Sequence, residues 1–226
     1  MNATLKREIS AKSDLDRLAS KILQIFPELT PDARRLAVNL YRLLAKGKPV
    51  ARADLAQATG ISPERVSVIL EGWHAVYFED EKIVGFWGLT TKPVSKHLIK
   101  FDGHTEYAWC AWDTLFLPHL VGKTMEVESV DPETGVSVRL TVSPDGVAHI
   151  SPPGAVLSFL EPTEEMSDDI VATFCHFVHF FPSREVGAAW IAKHAGTSLL
   201  TIEEGFELGK RRNQGQFKEA LEMAGP

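Results

Sequence analysis

Ser62-Pro-Glu-Arg-Val-Ser-Val-Ile-Leu-Glu-Gly-Trp73 is followed closely by Val76-Tyr-Phe78 and by Ile83-Val-Gly-Phe-Trp-Gly-Leu89. Ser62 reads as a helix cap and Pro63 as the first helical residue, with Val66, Ile69, Leu70 and Trp73 on the inward side. The two apolar runs flank a polar Glu79-Asp-Glu-Lys82 turn, which predicts a β-hairpin. Upstream, Thr30-Pro31 opens a helix carrying Leu36, Leu40, Leu43 and Leu44, stopped by Gly47 and Pro49. Arg52–Thr59 predicts a short second helix with Leu55 inward and Gly60 at its end. Three helices and then a hairpin is the order of a winged helix-turn-helix, so residues 26–92 are read as a winged-helix-like module. Residues 1–25 are read as a loosely attached N-terminal helical arm.

Pro93 marks the expected boundary to a larger unit, residues 93–226. There the pattern turns strand-rich. Lys96–Phe101 alternates as a strand before an Asp102-Gly103 turn, and Trp109–Leu117 reads as a short buried helix stopped by Pro118. Lys123–Val130 and Val136–Val142 are expected to pair across Asp131-Pro-Glu-Thr-Gly135. Val147–Ile150, Ala155–Leu160 and Leu199–Ile202 are further strands. Helices are expected from near Met166 into Phe174, over Ser183–Ala195 with Ser183 as its cap, and over Glu203–Arg212, where Lys210, Arg211 and Arg212 suit a C-terminal dipole end. The fold class is therefore α+β, a helical module followed by a mixed or antiparallel sheet with flanking helices.

The chain has 226 residues, 44% hydrophobic and 24% charged, with a formal net charge of −6. That charge argues against nucleic-acid binding by the whole chain. A DNA reader would use the third helix, yet over Ser62–Trp73 Glu64 and Glu71 outnumber Arg65, where phosphate contacts need Lys and Arg. No apolar run approaches the roughly 18 residues that would span a bilayer, and Lys6-Arg-Glu8 precedes no signal-peptide core. A cytoplasmic protein with free thiols is the expectation.

There are two cysteines. Cys110 lies in Tyr107-Ala-Trp-Cys-Ala-Trp-Asp113, and Cys175 in Phe174-Cys-His-Phe-Val-His-Phe-Phe181. On a helix Cys110 and Asp113 would share a face. A carboxylate raises a neighbouring thiol's pKa, so Asp113 suits proton transfer better than thiolate formation. The same pair also fits a first-turn aspartate beside a small buried cysteine. If Phe174–Phe181 is a strand, Cys175, Phe177, His179 and Phe181 share one face. The Cys175-His176…His179 spacing matches no closed zinc pattern, and no Cys-x-x-Cys motif is present for redox work. Two thiolates in an apolar pocket suit a soft metal, mercury above all. With a proton donor beside them they would make the kit for cleaving an organomercurial.

Tyr107–Pro118 and Thr173–Phe181 closely resemble the two signature segments of the bacterial alkylmercury lyases (organomercurial lyases). Leu43–Val50 through Leu89, Leu140-Thr-Val-Ser143 and Lys193-His-Ala-Gly196 are also similar to that family, so the likeness spans roughly residues 30–210. The resemblance implies protonolysis of a carbon–mercury bond. It casts Cys110 as the first thiol on mercury, Asp113 as the group that moves a proton to the leaving carbon, and Cys175 as the second thiol. Trp109 and Phe174 are candidates for the pocket that takes the organic group. The family pattern further implies no bound cofactor, small thiols to deliver substrate and remove Hg(II), a mercuric reductase as downstream acceptor, and a monomer. His176 and Asp131 stand where some relatives carry further cysteines. The other reading is a mercury- or thiol-responsive winged-helix transcriptional regulator, which would need promoter binding.

Overall fold

The computed structural model describes residues 3–25, 28–162 and 170–223, with backbone alone for 3–13 and 223. Four helices come first: α1 (Ala3–Ile25), α2 (Pro31–Leu44), α3 (Arg52–Thr59) and α4 (Pro63–Glu71). Then follow β1 (Val76–Glu79), β2 (Lys82–Phe86), β3 (Leu89–Thr90), β4 (His97–Phe101), β5 (His104–Ala108) and α5 (Asp113–Val121). Next are β6 (Met125–Val130), β7 (Ser137–Val142), β8 (Val147–Ser151), β9 (Val156–Leu160) and α6 (Ile170–Thr173). A 3₁₀ turn at Cys175–Phe177 leads into β10 (Phe180–Phe181), α7 (Arg184–Ile191), β11 (Thr197–Thr201), α8 (Ile202–Phe217) and α9 (Ala220–Met223). The fold is helices with antiparallel sheet. One sheet of eight strands runs β1-β2-β3-β5-β4-β6-β7-β8 and a second runs β10-β9-β11.

Local chemistry accounts for the boundaries. Thr30 Oγ1 accepts the Ala33 N–H (3.3 Å), Ser62 Oγ that of Arg65 (3.3 Å) and Ser183 Oγ that of Val186 (3.4 Å), so all three expected caps are present. In α2, Leu36, Leu40 and Leu44 form one fully buried stripe. The β6–β7 hairpin pairs Met125 with Val142 and Val127 with Leu140, all buried, and Asp131 ties its turn by accepting from Glu133 N (3.0 Å) and Thr134 N (2.9 Å).

Several expectations are corrected. The boundary at Pro93 does not separate two units: β3 pairs with β5 across it, and one hydrophobic core extends from Leu18 to Ala220. The N-terminal arm is not loose over its second half. Leu18, Ala19 and Ile22 are buried, Arg17 and Lys21 pair with Glu161, and Arg211 pairs with Asp16. Gly215 of α8 gives α1 its close approach, since a Cβ there would come within 2.7 Å of Leu23. Pro118 does not end α5, which continues to Val121 and stops at Gly122 in the left-handed region (φ 77°). Proline forfeits one internal hydrogen bond, and a helix buried on almost every side is held by its packing instead. Tyr107 and Ala108 are strand, so α5 starts at Asp113 and not at Trp109. Phe174–Phe181 is not a strand, because only Phe180 and Phe181 pair, with β9. The helix α8 outlasts Arg212 by five residues, which puts Lys210–Arg212 in its interior. The expected helix start near Met166 lies outside the described residues.

Ile22→Ala is expected to destabilise the protein by about 2–4 kcal/mol in urea denaturation, the cost of a cavity at a docked helix. A loss under about 0.5 kcal/mol would mean that α1 is a detached arm after all.

Candidate functional site

Helix α5 is apolar on nearly every face and packs against α2 and α8. Its first residue, Asp113, is therefore carried into the interior. Asp113 Oδ2 accepts the backbone N–H of Cys110 at 2.8 Å, closing the turn that leaves β5. Two further bonds pin that turn. Trp109 N–H donates to the Gly88 carbonyl (3.0 Å) and Ala111 N–H to the Val178 carbonyl (3.2 Å). The second bond brings in the Cys175 segment, itself fastened to β9 because Ser158 Oγ donates to Phe177 O (2.8 Å) and accepts from His179 N (2.9 Å).

Cys110, Asp113 and Cys175 are brought together, all three buried. Both sulfurs and a carboxylate oxygen lie within 4.8 Å of one another. Neither cysteine is in a disulfide. The i, i+3 pairing expected on a helix arises from a turn capped by the aspartate. Burial pushes the Asp113 carboxyl up to about 7, opposed by hydrogen bonding to Cys110 and by the Arg212 charge. Burial, Cys175 and the Asp113 charge push the Cys110 thiol well above its usual range. At neutral pH the resting site thus holds a protonated Cys110 and an acid near its midpoint.

The surroundings are aromatic. Trp112, Phe159 and Phe174 meet edge-to-face at centroid distances of 5.2–6.0 Å, and Trp112 Nε1 donates to Gly205 O at 2.9 Å. Trp109 lines a cavity of about 430 Å³ together with Cys175, whereas Phe174 belongs to the aromatic cluster and not to that lining.

Residues that sequence reasoning missed support the carboxylate from behind. Gly88 (φ 99°) lies so close that a Cβ there would sit 2.6 Å from Asp113 Oδ1. Tyr41 of α2 donates to the neighbouring Trp87 carbonyl at 2.8 Å. Arg212, almost wholly buried, hydrogen-bonds Tyr41, bears electrostatically on Asp113, and lies over the Phe116 and Phe217 rings at 4.8 and 5.1 Å. Its sequence signal is the helical face it shares with Gly205, Leu208 and Gly209, all buried.

The alkylmercury lyase (MerB) family model matches residues 89–214. An alkylmercury lyase of Staphylococcus epidermidis is 40% identical over 171 residues, 76% of this chain and 78% of the relative. One from Pseudomonas putida is 40% identical over 175 residues, covering 77% and 81%. The chain belongs to the alkylmercury lyase family. The fold also resembles a solved structure described as the mercury-bound form of MerB2, with a TM-score of 0.73 at 23% identity over 90% of this chain and 99% of that one.

A raised Asp113 has a signed consequence. Its folded pKa, about 7, exceeds the unfolded value of 3.8, so its stabilising contribution is complete below the unfolded value and lost as pH rises through the folded one. Measured against Asp113→Asn, wild-type stability is expected to fall by up to about 1.4 kcal/mol per pH unit between about pH 4 and 7 and to level off above. A pH-independent difference would contradict the raised value.

Proposed function

We propose that this protein cleaves the carbon–mercury bond of organomercurials by protonolysis, acting as an alkylmercury lyase in mercury detoxification. The observation that carries the reading is the convergence of two buried thiols and a near-neutral acid within 4.8 Å. Mercury is the substrate metal, and a soft cation is what a thiolate pair selects. Cys110 is the first thiol to engage. Its raised pKa keeps it protonated until mercury arrives, and ligation then releases the proton. Asp113 takes that proton. Cys175 adds a second sulfur, raising electron density at mercury and weakening the bond to carbon. Asp113 then protonates the carbon. For a substrate R–Hg–SR′ the products are R–H, R′SH and Hg(II) bridging two cysteine sulfurs. Both thiol protons are accounted for, and mercury stays divalent. An acid with a pKa near 7 suits both halves of this transfer at neutral pH.

The reading needs no resident cofactor. Substrate arrives, and Hg(II) leaves, on small thiols, with a mercuric reductase as the downstream acceptor. Among the described residues no helix is long and apolar enough to cross a membrane. A cytoplasmic monomer is what the family likeness implies. The winged-helix-like order of α2–α4 and β1–β2 serves as a packing module that delivers Tyr41 to the back of the site. A transcriptional regulator is disfavoured: α4 carries Glu64 and Glu71 against Arg65, and the hairpin is an edge of the large sheet.

With excess thiol, the purified protein is expected to release methane from methylmercury. Cys110→Ser and Cys175→Ser should each abolish turnover. Asp113→Ala should still bind Hg(II) but cleave about 10²–10⁴-fold more slowly. Normal cleavage by Asp113→Ala would remove its assigned role, and no methane from wild type would end the reading.

A further inference from the structure

The cavity of about 430 Å³ touches Cys175 but neither Cys110 nor Asp113. Whatever fills it would meet a mercury atom from the Cys175 side, away from the acid that serves the leaving carbon. That argues against the organic group as its natural occupant. Its walls are apolar, with Val94, Trp109 and Val171, and the volume suits a small ligand. The polar exceptions are specific. Lys96, exposed at the rim, has no acidic partner among the described residues. His179 lies against His97, ring centroids 6.0 Å apart, and its Nε2 lies 2.8 Å from the His176 carbonyl. A carbonyl only accepts, so Nε2 carries the proton. Burial disfavours a second proton, so His179 stays a neutral imidazole beside the cavity.

We propose that this cavity docks a small carboxylate-bearing thiol, with Lys96 holding the carboxylate and the sulfur directed at mercury on Cys175. The proposal rests on the lyase reading and concerns its product-release step. The incoming sulfur bonds to mercury, the mercury–Cys175 bond breaks, and the thiol proton passes to the departing Cys175 sulfur. With Cys175 released, a second thiol displaces Cys110 from mercury, its proton passing to the Cys110 sulfur. Hg(II) bound to two cysteines plus two R′SH becomes Hg(SR′)₂ plus two cysteine thiols, with no change in oxidation state.

The test uses full-length protein loaded with one equivalent of Hg(II), so it does not depend on carbon–mercury cleavage. Release of Hg(II) is followed by stopped flow with 3-mercaptopropionate, which has a carboxylate, and with 2-mercaptoethanol, which has none. Lys96→Glu is expected to lower the second-order rate constant for 3-mercaptopropionate about tenfold, with the gap closing at high salt, and to leave that for 2-mercaptoethanol within about twofold. The unchanged neutral thiol also shows that the variant is folded. Single-turnover methane release should be unaltered. Equal slowing with both thiols, no slowing with either, or an effect confined to cleavage of a carboxylated arylmercurial would overturn the proposal. Absence of methane in wild type would instead sink the lyase reading alone.

Discussion

The structure turns on a buried carboxylate that is only partly compensated. Asp113 is stabilised as an anion by the Cys110 backbone N–H and thiol, by the Trp109 backbone N–H, and more remotely by the Arg212 charge. A tighter ion pair would hold it permanently anionic, and an apolar pocket without donors would hold it permanently neutral. Between those limits its pKa settles at about 7. Gly88 packs closely against Asp113, and Gly209 against Phe116, where a Cβ on either glycine would come within 2.6 Å. The same burial keeps Cys110 a thiol, so the proton required later is stored on the sulfur that will bind the metal.

Distant stretches of chain cooperate to hold this arrangement. The β5–α5 turn brings Cys110 and Asp113, and the 3₁₀ turn after α6 brings Cys175. The β2–β3 turn presents Gly88, while α2 and α8 supply Tyr41 and Arg212. The link between the two cysteine segments is the Ala111–Val178 backbone bond, and Ser158 then fastens the second segment to β9. One core from Leu18 to Ala220 explains why the helical N-terminal part is no detachable accessory. It forms the rear wall of the site.

Much of this was legible in the sequence where local chemistry decides. Thr30, Ser62 and Ser183 cap the helices they were expected to cap, and the β6–β7 alternation gave both strands and their turn. Cys110, Asp113 and Cys175 were legible through their family-like segments, which carry more information than spacing alone. The failures arose where tertiary contacts overrule local pattern. Phe174–Phe181 is apolar enough to be strand, and its actual turn depends on Ser158, a residue sixteen positions before it. Pro118 stays in a helix because packing on all sides outweighs one lost hydrogen bond. Arg212 looked like a dipole-end cation, and only the full length of α8 reveals it as a buried partner of the site.

The central claim is that two cysteines 65 positions apart act on a single mercury atom. X-ray absorption at the mercury edge, on protein carrying one equivalent of Hg(II) and freed of small thiols, tests it most directly. Two sulfur ligands per mercury in wild type, falling to one in Cys110→Ser and in Cys175→Ser, is the predicted result. A single sulfur in wild type, or two retained in either variant, would contradict the shared site.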